Sequence, residues 1–225
     1  MHGCLEPILV ECRLFQYLIG IDLVLYLMPR ANPMSEYNDY FGLLNSPRGS
    51  MVSPLKNGVT WALDNNCFTK NFNFKSWIRA LERYQIYQDT CLFVLAPDIV
   101  GDKDATLFLY KQYHTIIKED FGYPVALAIQ DGMTKDDIYW EDIDAIFIGG
   151  TTEYKFGNDA EQILKHALDN NIHTHVGRVN SRKRVLRFWF VDTVDGTTPI
   201  YEPNVKIPML ARAVRDAREM KRNIK

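Results

Sequence analysis

The chain has no Cys-x-x-Cys pair. Its four cysteines, Cys4, Cys12, Cys67 and Cys91, stand far apart, so neither a disulfide framework nor a cysteine-built zinc site is expected. That usage fits a reducing, intracellular compartment. Apolar runs long enough to cross a bilayer are lacking as well. The most apolar stretch, "LFQYLIGIDLVLYLM" over 14–28, carries Asp22 and falls short of the roughly 20 residues a spanning helix needs. It has no basic flank followed by a small-residue cleavage site, so it reads as core rather than as a signal peptide, and no membrane partner is expected. No linker, repeat or low-complexity segment divides the 225 residues. A third metal ligand is missing too: His173 and His175 alternate on one candidate strand and would face the same side, yet no further ligand stands at recognisable spacing. They read as core or surface histidines, and neither metal nor other cofactor is expected.

What is present is enough apolar material for one sizeable core. The chain is 47% hydrophobic and 12% aromatic, which excludes disorder and suits a single α/β domain of barrel or doubly wound type over 1–225. Net charge is only -2, but it is unevenly spread: residues 176–225 hold 12 Lys/Arg against 5 Asp/Glu, and the remainder 14 against 23. A polyanion docking on the C-terminal part would suit that asymmetry. The densest piece, "GRVNSRKRVLR" (177–187), supplies Arg178, Arg182, Lys183, Arg184 and Arg187; a solvated helix face would look the same. The basic residues of "ARAVRDAREMKRNIK" suit the C-terminal end of a helix through its dipole.

Short apolar runs alternate with amphipathic stretches. Candidate strands are 22–27, 58–63, 90–96, 124–130, 145–150, 172–177 and 192–196, and candidate helices 73–85, 103–120, 158–171 and 181–190. This βαβα order predicts a mostly parallel sheet with helices outside. The stretch 28–57, rich in Pro, Ser and Asn, reads as one long loop of the kind that serves as a functional lid.

Polar clusters recur at one particular end of the runs. "WAL" leads to Asp64-Asn65-Asn66, "VLAP" to Asp98 and Asp102, "ALAI" to Gln130-Asp131-Gly132, "AIFI" to Gly149-Gly150, "HTHV" to Gly177-Arg178, and the last strand to Asp195-Gly196. In a parallel barrel the C-terminal strand ends converge on one face, where active sites are built. Each cluster also has a plain structural account: Asp-Asn-Asn and Gln-Asp-Gly form turns, Gly149-Gly150 can be a tight turn, and Asp102 suits a helix cap. Gly196 beside Asp195 would let a ligand approach closely.

Taken in order, these motifs resemble the tRNA-guanine transglycosylase superfamily, and more closely the small phage-type DNA 7-deazaguanine transglycosylases. The resemblance runs from about 58 to 200 and leaves 1–57 unassigned. It implies a TIM-like (β/α)8 barrel, with a reduced or incomplete form left open at this chain length. It also implies that Asp64 in "ALDNNCF" is the general acid/base, that Asp98 in "APDIVGD" reads the guanine edge, and that Gln130 and Gly149-Gly150 contact the base. "HVGRVNS" followed by "DTVD" makes Asp195 the nucleophile, with Arg178 in the substrate-binding set and Arg182, Lys183, Arg184 and Arg187 on nucleic-acid phosphates. The family's tRNA enzymes carry a C-terminal zinc subdomain rich in cysteine. Nothing after Cys91 here is a cysteine, which favours DNA over tRNA, in the cytoplasm of the host if the protein is phage-encoded. After the glycine pair the family's Leu-Ala-Val-Gly-Glu is replaced by Thr-Thr-Glu-Tyr-Lys.

The implied activity is exchange of guanine for a 7-deazaguanine base through a covalent aspartyl-glycosyl intermediate. One carboxylate traps an oxocarbenium-like C1' while a second carboxyl group protonates the departing base. Two other readings use the same residues: base exchange or hydrolysis on free nucleosides or nucleotides, and a non-catalytic nucleic-acid-binding relative.

Overall fold

The computed structural model describes residues 24–49, 52–69 and 72–223. Most of the apolar stretch 14–28 therefore lies outside the described residues, as do residues 22 and 23 of the first candidate strand. Among the described residues there are eight strands: β1 (Leu25–Met28), β2 (Phe41–Asn45), β3 (Trp61–Leu63), β4 (Cys91–Leu95), β5 (Val125–Ile129), β6 (Ala145–Ile148), β7 (His173–Val176) and β8 (Thr193–Asp195). Each pairs in parallel with the next, and β8 returns to β1 with Leu25 opposite Thr193 and Leu27 opposite Asp195, so the sheet closes on itself. The fold is a closed (β/α)8 barrel in which 3-10 turns (Ser35–Tyr40 after β1, Lys135–Asp137 and Trp140–Asp142 after β5) stand in two of the helix positions. The expected TIM-like (β/α)8 barrel is the fold observed; what differs from the sequence reading is β2.

That strand lies inside the stretch read as one long loop. Its sequence, FGLLN, is short, contains a glycine and is flanked by polar turns, so its apolar signal is weak; all five residues are nonetheless buried. The glycine has a packing reason. A Cβ on Gly42 would come within 2.7 Å of both Leu27 Cδ2 and the Thr60 carbonyl oxygen. Its absence lets the β1 leucines fill the barrel.

Helices lie between strands: α1 (Val52–Lys56), α2 (Phe74–Tyr84), α3 (Lys103–Thr115), α4 (Thr152–Lys155), α5 (Asn158–Asp169), α6 (Arg182–Arg187), α7 (Thr198–Tyr201) and α8 (Pro203–Arg222). Their starts follow from local chemistry. Asn73, Asp102, Thr151 and Ser181 each accept a hydrogen bond from the backbone N–H three residues on, satisfying one of the donors a helix leaves open at its first turn. Asp102 is thus a helix cap and stands outside the site. The last helix starts at Pro203, eight residues before the basic stretch read from sequence, with proline at a position where its missing N–H costs nothing.

Side chains alternate across each strand. One set, including Leu27, Leu44, Ala62, Phe93, Ala128 and Phe147, fills the barrel. The other, including Met28, Leu43, Trp61, Val94, Leu127 and Ile148, packs under the helices. Among the described residues no helix is long and apolar enough to cross a membrane.

Candidate functional site

The alternation decides which residues look into the mouth of the barrel. Ala62 faces inward, so Asp64, two residues further, does the same at the C-terminal end of β3; Ala126 and Ala128 pass this direction to Gln130, and Ala145 and Phe147 pass it to Gly149. On the neighbouring strands β7 and β8, His175 and Thr193 are register partners hydrogen-bonded side by side inside the barrel, which carries Gly177 and Asp195 inward. The two carboxylates of "DTVD" therefore part company. Asp192, at the other end of β8, accepts from the Thr174 N–H and hydroxyl and pairs with Lys221. Burial opposes its charge, but His173, Lys221 and the Thr174 N–H prevail and hold its carboxyl below the usual range. Asp192 ties strands together. Asp195 looks into the mouth.

Asp195 is held by one oxygen. Its Oδ1 accepts from the Arg178 backbone N–H at 2.9 Å and lies 3.2 Å from His175 Nε2. Burial pushes His175 below its ordinary pKa, more strongly than Asp195 pulls it up. The neutral ring then donates Nε2–H to Asp195 and accepts at Nδ1 from the Thr193 hydroxyl, 2.8 Å away. Among the described residues no group donates to Asp195 Oδ2, and the side chain keeps 13% of its surface. One oxygen is anchored and the other is left for chemistry. Gly177 borders this carboxylate closely, since a Cβ there would lie 3.2 Å from Oδ1 and 2.8 Å from the Phe147 ring. Gly196 has a different reason from the one its sequence suggests: a Cβ there would collide with the Tyr26 hydroxyl and the Asn180 side chain, so that space is filled by protein.

Asp64 opens the Asp-Asn-Asn turn, and its Oδ1 accepts from the Asn66 N–H at 2.9 Å while Asn66 takes a left-handed φ of 64°. Burial, with the charges of Asp195 and Asp98, pushes Asp64 up to about 6 against the pull of that N–H. Asp98 is more enclosed. Asn65 Nδ2 donates to its Oδ1 at 2.7 Å and Gln130 Nε2 to its Oδ2 at 2.6 Å. Burial raises its pKa and these donors oppose the rise. Gln130 is itself held, its Oε1 accepting from the Gly101 N–H at 3.1 Å. It presents Asp98 as much as it presents itself.

On the far side, Gly150 sits at φ +68°, and a Cβ there would lie 2.5 Å from Asp131 Oδ2. Arg178, itself at φ 60°, donates to the Gly150 carbonyl, and its guanidinium lies 5.0 Å from the centre of the exposed Phe68 ring. Beneath it is Lys155, 7% exposed, which donates to the Gly177 carbonyl. Burial and the neighbouring Arg178 push this lysine down to about 8. These loops enclose a cleft of about 180 Å3, with Lys155, Phe156, Arg178, Arg184 and Phe188 in its wall. Arg178 and Arg184 line it; Asp64, Asp98, Gln130 and Asp195 do not. The carboxylates ring the barrel mouth, and the cleft adjoins them at Gly177.

The other basic residues of α6 sit differently. Arg182 pairs with Asp216 at 3.0 Å and Arg187 with Glu161 at 3.1 Å, both exposed, and Lys183 is exposed. Arg184 turns toward the cleft, with its guanidinium 5.9 Å from the centre of the Phe156 ring. Exposed pairs of this kind are worth about 0–1 kcal/mol.

Three residues of this end escape a reading by sequence. Asn65 looks like an ordinary turn former, yet it braces Asp98 across 33 residues. His175 is alternation on a strand until Asp195 is placed beside it. Lys155 closes a one-turn helix, where lysine is normally a solvated cation; only its burial against Gly177 marks it. Among the described residues no group of three His, Cys, Asp or Glu could hold a metal ion, and Cys67 and Cys91 are buried and unbonded to each other.

No protein-family model matches the chain, and no curated protein is significantly similar to it. Solved structures are similar in fold. A 4-hydroxy-2-oxoglutarate aldolase/2-deydro-3-deoxyphosphogluconate aldolase from TTHB1 has TM-score 0.48 and 11% identity over 92% of this chain and 98% of its own. A ligand-free mutant tryptophan synthase from M. tuberculosis has TM-score 0.44 and 12% identity over 96% and 98%. A complex of a GH113 β-1,4-mannanase has TM-score 0.46 and 11% identity over 95% and 93%. At these values the likeness concerns the barrel alone.

Proposed function

We propose that the chain is a base-exchange glycosyltransferase, a pentosyltransferase that replaces guanine with a 7-deazaguanine derivative in DNA. The observation that carries the reading is Asp195: a carboxylate facing into the barrel mouth with Oδ1 anchored by Arg178 N–H and His175, and Oδ2 without a donor among the described residues. An anchored carboxylate with one open oxygen suits attack on a sugar C1'.

In the first half of the reaction Asp195 Oδ2 forms a bond to C1' as the C1'–N9 bond breaks. Asp64, with its pKa near 6, gives its proton to the departing guanine. In the second half Asp64 takes the N9 proton of the incoming base, whose nitrogen bonds to C1' and releases the Asp195 carboxylate. Protons and bonds balance without any further reactant. Asp98, held open by Asn65 and Gln130, offers its remaining lone pairs to the N1–H and N2–H donors of a guanine edge. A duplex substrate would have to flip its nucleotide outwards to reach this depth.

His175→Leu removes the neutral donor behind Asp195 while keeping an apolar side chain. Adduct formation should slow by roughly 10- to 100-fold, since the nucleophile remains but is less well positioned, and His175→Gln should recover part of it. Stopped-flow trapping over pH 5–9 checks this, and a rate unchanged in His175→Leu rules out a positioning role for His175. Replacing Arg182, Lys183 and Arg184 together with alanine should weaken DNA binding equally across sequences and lower the log-log salt slope by about one unit for each phosphate left unneutralised. An unchanged slope returns α6 to a solvated face.

A second reading is favoured by the pairing of Arg182 and Arg187 with their own carboxylates: the same exchange on a free nucleotide, which needs no extended basic surface. A nucleotide enzyme would lose little affinity between 50 and 200 mM salt, whereas six or more phosphate contacts would cost on the order of 10^3-fold.

A further inference from the structure

We propose that the cleft between the loops after β6 and β7 is a binding site for one phosphate ester of the substrate, held by Lys155, Arg178 and Arg184. The chemical class of the substrate rests on the transglycosylase reading above; the anion site itself does not.

Three positive side chains line this one cleft, and among the described residues none of them is in an ion pair. The comparison within α6 is direct, because Arg182 and Arg187 on the same helix each have a carboxylate partner. Lys155 is the least expected of the three. An ammonium has three N–H donors, and the one acceptor found for it among the described residues is the Gly177 carbonyl. A buried cation with donors to spare is costly unless something completes its shell. Among the described residues no carboxylate forms an ion pair with Lys155: Asp195 holds His175 and the Arg178 N–H through Oδ1, and Asp131 holds the Thr151 N–H and hydroxyl. Burial first, and then the adjoining Arg178 and Arg184 charges, lower the Lys155 pKa against the opposing pull of Asp195 and Asp131, so the cluster is only partly neutralised.

Size and position narrow the ligand. About 180 Å3 is smaller than the roughly 300–1,000 Å3 of an ordinary small-molecule pocket and suits a single tetrahedral anion with water. Gly177 is shared, since its carbonyl accepts the Lys155 hydrogen bond and its Cα borders Asp195 Oδ1. A phosphate in the cleft therefore sits next to the carboxylate at which the sugar would react. Phe156 and Phe188, with ring centres 5.3 Å apart, give the cleft an apolar side on which the rest of a nucleotide can lie. Lys155 falls within Thr-Thr-Glu-Tyr-Lys, where this chain departs from the transglycosylase pattern.

The test is calorimetric titration of the full chain with sodium sulfate, whose charge is constant over pH 5–9, and then with deoxyguanosine, deoxyguanosine 5'-monophosphate and a phosphodiester-linked dinucleotide. Sulfate should bind wild type and displace both phosphate-bearing probes but leave deoxyguanosine binding unaffected. Preference for the dinucleotide assigns the phosphate to a nucleic acid, and preference for the monophosphate to a free nucleotide. Lys155→Met and the half-buried Arg184→Met should each weaken sulfate at least tenfold, while Arg182→Met and Arg187→Met stay within twofold. Above pH 8 sulfate affinity should fall as Lys155 loses its proton in the company of Arg178, Arg184, Asp131 and Asp195, and Lys155→Arg should remove that fall. Melting curves identify any variant that fails to fold, and Arg184→Met then carries the test. No sulfate binding by wild type, or equal weakening by Arg182→Met and Arg184→Met, overturns the site. Loss of anion binding with adduct formation intact overturns this inference alone; intact anion binding without any adduct overturns the transglycosylase reading alone.

Discussion

Asp195→Asn is expected to abolish the covalent adduct with substrate, with turnover reduced on the order of 10^4-fold or more, the scale on which removal of a nucleophile acts. The substitution is conservative in every other respect. An asparagine Oδ1 still accepts from the Arg178 N–H and from His175 Nε2, the two contacts that fix the side chain, so the fold and DNA affinity should change little. What disappears is the anionic oxygen. Denaturing-gel trapping of labelled DNA on the variant, after wild-type trapping has been established, is the measurement, and trapping at the wild-type level would remove Asp195 from the role.

Asp64→Asn should have the second largest effect, a loss of about 10^2- to 10^4-fold in the departure of guanine, typical of a general acid. Because burial and the charges of Asp195 and Asp98 push Asp64 up to about 6, wild-type adduct formation should fall with rising pH above about 6. The variant should lack that limb. A substrate whose leaving base needs no proton should recover much of the loss.

The same shift makes a stability prediction of opposite sign. Below about pH 3 the carboxyl is protonated in folded and unfolded chain alike and contributes nothing. Between about 4 and 6 the unfolded chain releases its proton while the folded chain keeps it, so stability falls as pH rises. Above 6 the full penalty is present, on the order of 3 kcal/mol. Asp64→Asn should therefore be more stable than wild type at pH 8, with the difference shrinking as pH falls through 4 and gone by about pH 3, by urea unfolding. A gain in stability joined to a loss of activity separates a group kept for chemistry from one kept for the fold.

Much of the barrel was legible because a parallel strand buried on both faces reads as a short apolar run, as WAL, CLFVL, VALAI and AIFI do. The same logic hid β2, where Gly42 and a polar setting weaken the signal while the packing of Leu27 demands the glycine. In the candidate site, legibility followed the strand ends. Asp64, Gln130, Gly149 and Asp195 each extend an inward-facing alternation, so their direction could be counted from the strand before them. The residues that tune them could not be counted, because their meaning lies in contacts made across the barrel. Asn65 is a turn residue until it meets Asp98, His175 a core histidine until it meets Asp195, and Lys155 a surface cation until the chain buries it. The basic stretch 178–187 divides in the same way: its composition is uniform, but only Arg178 and Arg184 turn into the cleft while Arg182 and Arg187 face carboxylates of their own.

The most direct test of base exchange is mass spectrometry of nucleosides released from guanine-containing DNA after incubation with the protein and isotopically labelled guanine. Base exchange predicts labelled deoxyguanosine in the DNA with wild type, none with Asp195→Asn, and its replacement by the modified nucleoside when a 7-deazaguanine base is supplied in excess. DNA that stays unlabelled with active, folded wild type, while a free nucleotide pool acquires the label, would contradict DNA as the substrate; label in neither would contradict base exchange itself.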